Sequence, residues 1–417
     1  MTMVERPFGY ERGMLRCDGV SLAEIADRFG TPTYVYSTNA IDGAYHELDQ
    51  AFARLPHRIC YSVKANPNLA ICSLLAGLGA GADVTSGGEL ARALRSGFPA
   101  ETIMFAGVGK SREEMECALT AGIGCFSVES EGELRLLSAA AAEPGAIAPF
   151  ALRVNPDVDA RTHPYITTGL AASKFGVPIA DALDLYGLAA TLPGLRAVGV
   201  GMHIGSQMED LSPVIEATRG LVTLASALLS REHPLRHIDI GGGYPIPYGD
   251  EQLDTPAQLL TQLVPVLQPL GLVVVTEPGR RLVGAAGALI VRVLYRKRNG
   301  PHAFIVVDGG MSALLRPALY GARHKLAAVR EDTAETQAAV VGPICETSDV
   351  LSQGGGVPDV QPGEVLAILD AGAYGFSMAS EYNGRPRPAE VLVENTEARL
   401  VRRRQSHEEI MAPELGL

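Results

Sequence analysis

A lysine at the end of a short apolar run is the first residue of this chain with clear chemical potential. Residues 59–63 are rich in β-formers and are followed by Lys64, Asn66 and Pro67, which predicts a buried strand with an amine at its carboxyl end. An ammonium in that place is costly unless it is paired, deprotonated or covalently committed. The alternative is a lysine whose stem packs while its head reaches water.

Two glycine-bearing segments follow later apolar runs, namely Gly241-Gly242-Gly243 and Glu277-Pro278-Gly279-Arg280. Glycines let backbone N–H groups approach an anion such as phosphate without interference from a Cβ atom. A plain tight loop is the alternative interpretation of the triple glycine. The two segments follow the seventh and eighth predicted strands, whose loops commonly bind phosphate in barrel folds.

A histidine and a carboxylate extend this set. His203 is surrounded by small residues, and its imidazole can stack on a flat cofactor ring, although a structural histidine is the alternative. Ser206 can donate to a phosphate, and Glu277 can hold a pyridinium N–H so that the ring stays electron-withdrawing. Together with the amine of Lys64, these groups describe pyridoxal 5′-phosphate bound as a Schiff base.

The elements that must position these residues alternate regularly. Eight apolar runs occur, the first four starting roughly 22 residues apart, at 59–64, 81–86, 103–107, 125–129, 150–155, 198–206, 237–243 and 273–280. Amphipathic stretches such as 88–96, 111–121 and 211–229 lie between them. Eight strand–helix units predict a (β/α)₈ TIM barrel, and the polar residues fall at the carboxyl ends of its strands, where active sites form.

The character of the chain changes after about residue 285. Strand-like runs separated by Gly/Pro turns follow, with few helix signals, which predicts a second, all-β C-terminal domain. We expect the barrel to span residues 33–284 and residues 1–32 to pack with 285–417. Within 1–32, Ser21 and Glu24 have the spacing of a capping box at a helix start.

The composition excludes several classes of protein. The chain has 417 residues, 47% of them hydrophobic and 20% charged, with a formal net charge of −12; this favours a folded protein and argues against a nucleic-acid partner. We expect no secretory signal and no membrane association, because no uncharged apolar run approaches roughly 18 residues. The six cysteines lack CxxC or zinc-like spacing, so we expect reduced thiols, no metal site and a cytoplasmic location.

Short motifs in order along nearly the whole chain resemble the diaminopimelate decarboxylases, a family within the fold-type III group that includes ornithine and arginine decarboxylases. Besides the histidine, triple-glycine and Glu-Pro-Gly-Arg segments, they are Tyr61-Ser62-Val63-Lys64-Ala65-Asn66, Ser86-Gly87-Gly88-Glu89-Leu90, Arg153-Val154-Asn155-Pro156, Thr162-His163-Pro164-Tyr165-Ile166, Ser173-Lys174-Phe175-Gly176, Arg316-Pro317-Ala318-Leu319-Tyr320, Cys345-Glu346-Thr347-Ser348-Asp349 and Asp370-Ala371-Gly372-Ala373-Tyr374-Gly375.

The resemblance implies a role for each matching residue. Lys64 would carry the cofactor, His203 would stack on its ring, and the phosphate would be surrounded by Ser206, Gly241, Gly242, Gly243, Gly279, Arg280 and Tyr374. Cys345 would protonate the carbanion left after CO₂ departs. It would come with Glu346 from a neighbouring subunit, so the resemblance implies an obligate homodimer with shared active sites. A buried structural thiol is the alternative for Cys345.

The expected reaction converts meso-2,6-diaminopimelate to L-lysine and CO₂. Arg280 and Arg316 offer planar forks for the distal carboxylate, Tyr320 a hydroxyl, and Glu346 a partner for the ammonium, with Tyr374 nearby. The alternatives are a decarboxylase of another carboxylate-bearing diamino acid, an amino-acid racemase, and a non-catalytic homologue that binds the cofactor. Two positions depart from the family pattern: Ala313, where we expect an aspartate, and the Tyr244-Pro245-Ile246 segment.

Overall fold

The chain folds into two compact units. The computed structural model describes residues 7–143, 145–160, 168–170, 173–249 and 251–415. One unit, called the β unit below, comprises Met1–Ala44, Pro247–Glu251 and Leu282–Leu417. The other, called the barrel unit, comprises Tyr45–Ile246 and Gln252–Arg281. Among the helices in the described ranges, none is long and apolar enough to cross a membrane.

Eight parallel strands of the barrel unit close into a barrel, as the sequence predicts. They are His57–Ser62, Gly81–Val84, Ile103–Phe105, Cys125–Val128, Ala148–Asn155, Leu195–Gly201, His237–Asp239 and Val273–Thr276. The last of them pairs with the first, which closes the ring. A two-residue strand, Val177–Pro178, adds to the carboxyl end of the fifth.

A helix follows each barrel strand. The eight helices are Leu69–Gly77, Gly87–Arg95, Arg112–Ala121, Glu131–Ala142, Ala182–Thr191, Ser212–Ser230, Pro256–Leu267 and Arg280–Val283, and the helix Thr38–Phe52 precedes the first strand. Short 3₁₀ turns occur at Val63–Ala65, Ala100–Thr102, Ile179–Asp181 and Gln268–Leu270. This alternation of parallel strands and helices confirms the TIM barrel.

Local sequence explains where several of these helices begin. Ser111 and Thr255 each form a full capping box with the residue three positions later, so that two backbone N–H groups at the helix start are satisfied. The capping box expected at Ser21 and Glu24 is wrong. Ser21 precedes the helix Leu22–Phe29, but its side chain accepts no capping hydrogen bond.

The barrel interior is filled by small and medium apolar side chains. A cluster from six different strands packs there: Cys60, Met104, Cys125, Ala151, Val198 and Val275. Burial raises the pKa of the Cys60 and Cys125 thiols, so both remain protonated and act as core residues. The closed, packed centre leaves the carboxyl ends of the strands as the place for chemistry.

The β unit is built around a nine-stranded sheet. Its strands are Thr33–Ser37, Gly287–Asn299, His302–Val307, Leu326–Ala328, Ala339–Val341, Val350–Ser352, Val365–Ile368, Ala389–Glu394 and Glu397–Arg402. The strand Thr33–Ser37, which the sequence pattern assigns to the barrel, pairs here with Gly287–Asn299 and Ala389–Glu394. The second, largely β architecture predicted from the sequence is thus confirmed.

Smaller elements complete the β unit. Phe8–Glu11, Met14–Cys17 and Val20–Ser21 form a three-stranded sheet, and Glu335–Gln337 pairs with Gly356–Pro358. The short helices are Leu22–Phe29, Arg316–Tyr320 and His407–Met411, with 3₁₀ turns at Phe376–Met378, Tyr382–Gly384 and Ala412–Glu414. Apolar residues between Phe8 and Phe29 share a buried cluster with strands of the large sheet, so this segment is integral to the β unit.

Candidate active site

Lys64 lies just beyond the first barrel strand, in the 3₁₀ turn Val63–Ala65. Its Nζ donates to Asp83 Oδ2 over 2.9 Å, and Ser62 Oγ donates to the same oxygen over 2.9 Å. The Asp83 side chain is completely buried, whereas 38% of the Lys64 side chain is exposed. The amine therefore sits at the open end of the barrel with a buried counter-ion beneath it.

Two further carboxyl groups, Asp239 and Glu277, are buried in the barrel unit and are hydrogen-bonded to each other. Burial is the main reason that the pKa of Glu277 lies well above its usual range, and the charges of Asp239 and Asp83 raise it further. Burial likewise raises the pKa of Asp239 to about 7. A hydrogen bond between two carboxyl groups needs a proton, so this pair shares one.

His203 is held as a neutral ring. The N–H of Gly242 donates to His203 Nδ1 over 3.2 Å, so Nδ1 carries the lone pair and the proton is on Nε2. Burial and the charges of Arg153 and Lys64 lower its pKa well below the usual value. Its Nδ1 is 3.8 Å from Glu277 Oε2. Because the imidazole is neutral, this contact is not an ion pair. A flat, uncharged ring results.

Gly242 and Gly243 are required by the close packing of the backbone around them. A Cβ atom on Gly242 would lie 2.1 Å from the Glu277 carbonyl oxygen, and one on Gly243 would lie 2.4 Å from the Gly205 oxygen. The N–H groups of Gly241 and Gly242 donate to Asp239 and His203. Among the described residues, only the N–H of Gly243 lacks an acceptor in this segment, so it is the one available to a ligand.

Arg280 and Ser206 come together at the same end of the barrel. Arg280 Nη2 donates to Ser206 Oγ over 3.4 Å, and Arg280 is buried directly after Gly279, at the start of Arg280–Val283. A buried guanidinium beside a hydroxyl suits a phosphate or a carboxylate. The structure thus brings together Lys64 with its carboxyl partners, His203 with the glycine segment, and Ser206 with Arg280.

Several residues of this site were missed from the sequence. Asp83 and Asp239 are acidic residues inside otherwise apolar strands, and that contrast is the signal that could have identified them. Gln207 was also missed. Its side-chain Nε2 donates to the Ile246 carbonyl oxygen, and its Oε1 accepts from the Ile246 N–H. The N–H of Met208 donates to the Gly243 carbonyl oxygen over 3.1 Å. These bonds tie the loop after the sixth strand to the glycine loop.

The remaining predicted residues lie in the β unit, where Arg316 is buried at the start of the helix Arg316–Tyr320. Its Nη1 is 2.9 Å from His324 Nε2, and its Cζ lies 4.8 Å from the centre of the Tyr248 ring. Tyr320 ends the same short helix. Tyr374 has a positive φ of 56°, a conformation that non-glycine residues adopt at a cost and that clusters at functional sites.

Cys345 and Glu346 are exposed on a loop of the β unit. The N–H of Cys345 donates to Asn383 Oδ1 over 2.8 Å, and Tyr382 Oη donates to Glu346 Oε1 over 2.8 Å. Beneath the loop, the buried Asp349 carboxylate accepts the N–H groups of two residues, Met311 at 2.5 Å and Ile344 at 2.6 Å. The loop is therefore fixed from two sides while its tip stays accessible.

The departures from the family pattern have a structural basis. Ala313 is buried, and its oxygen accepts the Tyr34 hydroxyl over 2.7 Å. Tyr244 is buried too, with its hydroxyl 2.8 Å from Thr276 Oγ1. Both are packing positions within their own units. The motif at 162–166 lies outside the described residues.

Comparison with known proteins identifies the family. Residues 38–284 match the family of pyridoxal-dependent decarboxylases, pyridoxal binding domain. The diaminopimelate decarboxylase of Neisseria meningitidis serogroup B is 48% identical over 406 residues, covering 96% of this chain and 97% of that protein. That of Aquifex aeolicus is 45% identical over 410 residues, covering 98% and 97%.

Solved structures agree with this relationship. The diaminopimelate decarboxylase of Helicobacter pylori complexed with L-lysine has a TM-score of 0.91 at 40% identity, covering 94% of this chain and 98% of that one. That of M. jannaschii in co-complex with L-lysine has a TM-score of 0.94 at 36% identity, covering 100% and 99%. Sequence and fold agree over nearly the full length of both partners, and the chain belongs to the diaminopimelate decarboxylase family.

Proposed function

We propose that this protein removes the carboxylate at the D-centre of meso-2,6-diaminopimelate to give L-lysine and CO₂, with pyridoxal 5′-phosphate as cofactor. The observation that carries the proposal is the near end-to-end relationship with diaminopimelate decarboxylases. Lys64, an amine at the open end of the barrel beside a buried carboxylate, supplies the primary amine that this reaction needs. The reaction is that of a carboxy-lyase in lysine biosynthesis.

The buried acidic groups of the barrel unit fit this cofactor. Asp83 Oδ1 is buried and has no hydrogen-bond partner among the described residues, and Asp239 and Glu277 must share a proton. A protonated pyridine nitrogen supplies the positive charge that such a cluster favours. When bound, pyridoxal phosphate supplies an electron-withdrawing ring that takes up the electron pair left when CO₂ leaves.

We assign the cofactor contacts as follows. Lys64 provides the primary amine that holds the cofactor, and Glu277 binds the ring N–H. His203, neutral and flat, would stack on the ring of the bound cofactor. The phosphate is held by the Gly241–Gly243 loop, mainly through the Gly243 N–H, and by the groups Ser206, Gly279, Arg280 and Tyr374. The hydrogen bond between Arg280 and Ser206 supports their joint action on one anion.

Substrate recognition requires groups for a distal carboxylate and a distal ammonium. We assign the carboxylate to Arg280 and Arg316, with the Tyr320 and Tyr374 hydroxyls, because guanidinium forks bind carboxylates in a bidentate manner. Glu346 holds the ammonium. The Tyr382 hydroxyl, which donates to Glu346 Oε1, orients this carboxylate without neutralising it.

Cys345 donates the proton that replaces the carboxylate on Cα. We propose that it acts, with Glu346, in the active site of a second protomer, so that the enzyme is a homodimer with shared sites. The exposure of both side chains on a fixed loop supports this arrangement. We assign the enzyme to the cytoplasm, which agrees with its six free cysteines.

The test is an assay of purified protein for CO₂ release and L-lysine formation from meso-diaminopimelate. Ornithine, lysine and arginine run in parallel, and Lys64→Ala is the control. We expect turnover of diaminopimelate alone and its loss in the Lys64→Ala variant, because no other residue replaces the amine that holds the cofactor.

Two results would contradict the proposal in different ways. Cofactor absorbance without turnover of diaminopimelate would leave cofactor binding intact and refute the substrate assignment. Undiminished turnover by the Lys64→Ala variant would refute the role of the lysine.

A further inference from the structure

A buried histidine of the β unit holds the guanidinium of Arg316. His324 Nε2 is 2.9 Å from Arg316 Nη1, and His324 Nδ1 is 2.9 Å from the Leu369 carbonyl oxygen. His324 and Arg316 are both more than nine-tenths buried. The imidazole thus bridges the backbone after strand Val365–Ile368 and the first residue of helix Arg316–Tyr320.

Two hydrogen bonds of His324 determine which ring nitrogen carries its proton. A carbonyl oxygen can only accept a hydrogen bond, so Nδ1 must carry a proton and donate to Leu369. A guanidinium can only donate, so Nε2 must offer a lone pair to Arg316. Only the neutral Nδ1–H tautomer satisfies both bonds. The histidine is therefore an uncharged acceptor for the arginine.

An aromatic residue restricts the guanidinium from a second direction. The Arg316 Cζ lies 4.8 Å from the Tyr248 ring centre, a cation–π contact. The Tyr248 and His324 rings meet edge to face, with centroids 5.3 Å apart and planes at 82°. Tyr248 and His324 together leave the guanidinium little freedom to change its orientation.

We propose that His324 is a positioning residue for Arg316 and thereby sets the affinity for the distal carboxylate of the substrate. The inference rests on the proposed function, in which Arg316 binds that carboxylate. A neutral acceptor suits this task because it orients the guanidinium without placing a negative charge beside it. An aspartate or glutamate at position 324 would compete with the carboxylate of the substrate for the same cation.

The test compares two substitutions of similar polarity, His324→Gln and His324→Asn. The Gln side-chain oxygen can reach the position of Nε2 and accept from Arg316, whereas the shorter Asn reaches only the position of Nδ1. We measure binding of L-lysine, which retains the distal carboxylate, and of 1,5-diaminopentane, which lacks it, to the cofactor-loaded enzyme by calorimetry. KM and kcat for meso-diaminopimelate are measured alongside.

We expect His324→Asn to weaken L-lysine binding by about tenfold, the effect of losing one hydrogen bond to a charged group, and to leave 1,5-diaminopentane binding unchanged. KM for meso-diaminopimelate should rise by a similar factor, more than kcat falls. His324→Gln should restore most of the loss. Unfolding midpoints of both variants report whether the fold is retained.

Equal weakening of the two ligands, or equal behaviour of the Gln and Asn variants, would overturn the positioning role. The proposed function fails separately, through absence of diaminopimelate turnover by the wild-type enzyme. The dependence of L-lysine binding on His324 is measured without turnover, so the two failures are distinguishable.

Discussion

Three buried carboxyl groups of the barrel unit, Asp83, Asp239 and Glu277, act on one another electrostatically, and their charges cannot all be present at once without cost. Asp83 accepts from the lysine, while Asp239 and Glu277 share a hydrogen bond. Like charges in a buried site push one pKa upward. One proton held by Asp239 and Glu277 relieves this repulsion.

The stability of the folded protein should depend on pH through Asp239. Burial raises the pKa of the Asp239 carboxyl from its ordinary value of 3.8 to about 7 in the folded protein. Between these values the folded state binds more protons than the unfolded state, so the contribution of Asp239 to the free energy of unfolding decreases as pH rises from about 4 to 7. Asp239→Asn should therefore stabilise the cofactor-free protein more at pH 8 than at pH 5, by about 2 kcal/mol.

Urea unfolding of the cofactor-free protein at the two pH values measures this difference. Asn at position 239 keeps an oxygen for the Gly241 N–H and can donate to Glu277 without a shared proton, so the comparison isolates the charge. Asp332→Asn, at an exposed position, is the matched control. Equal effects of Asp239→Asn at both pH values would contradict the shared-proton interpretation.

At the same scale, the sequence identified the residues that end the strands and missed those inside them. Lys64, His203 and Glu277 stand beside recognisable glycines or motif neighbours. Asp83 and Asp239 are harder to recognise, because the role of an acidic residue within an apolar strand depends on its partner. Lys64 contacts Asp83 only once the strands His57–Ser62 and Gly81–Val84 have paired. His324 could not be recognised from a local pattern, since the residues to which it hydrogen-bonds include Arg316, 8 positions away, and Leu369, 45 positions away.

At the scale of elements, the loop 344–349 depends on one carboxylate. Asp349 accepts from the Met311 and Ile344 N–H groups, and a Cβ on Gly310 or Gly342 would lie 2.4 Å from it. The backbone N–H of Asp349 donates to the backbone carbonyl oxygen of Glu346 over 3.1 Å. The close approach of two glycine segments and these three bonds determine where Cys345 and Glu346 stand.

Replacing Asp349 should release this loop. An Asn at this position has only one side-chain oxygen, whereas the N–H groups of Met311 and Ile344 need one acceptor each. We therefore expect Asp349→Asn to lower the free energy of unfolding by about 1–3 kcal/mol. Amide exchange in the peptides containing Met311 and Ile344 should become faster by at least about tenfold, measured by mass spectrometry. Asp27→Asn, at an exposed position of the same unit, should leave exchange in these peptides unchanged. Unaltered exchange in the Asp349→Asn variant would refute the role of Asp349.

Element boundaries were predictable where local sequence determines them. Helices 112–121 and 212–230 lie within one residue of the expected positions because caps and amphipathic periodicity are local. Three strands end at Gly201, Asp239 and Thr276, earlier than the runs 198–206, 237–243 and 273–280 predict, since apolar loop residues at the rim resemble a continuing strand. The pairing of Thr33–Ser37 with strands some 250 and 350 positions away follows from long-range contacts, to which a local pattern gives no access.

At the scale of the whole molecule, the proposed proton donor is exposed on its own protomer. Cys345 and Glu346 are accessible to water, whereas a proton donor acts most selectively where bulk water is excluded. In the proposed dimer, a second copy covering the loop would supply this exclusion, and a symmetric dimer would do so at both sites with one interface. The proposal of shared active sites therefore predicts that two differently disabled chains can rescue each other.

Lys64→Ala and Cys345→Ala, each inactive alone, should regain activity when mixed after dissociation and reassociation. If Cys345 of one protomer serves Lys64 of the other, half of the dimers in an equal mixture are hybrids, and each hybrid has one intact site. The expected activity is about a quarter of the wild-type value, measured as L-lysine formation against each variant mixed with itself. If both residues acted within one chain, no hybrid would contain an intact site, and the mixture would remain as inactive as its components.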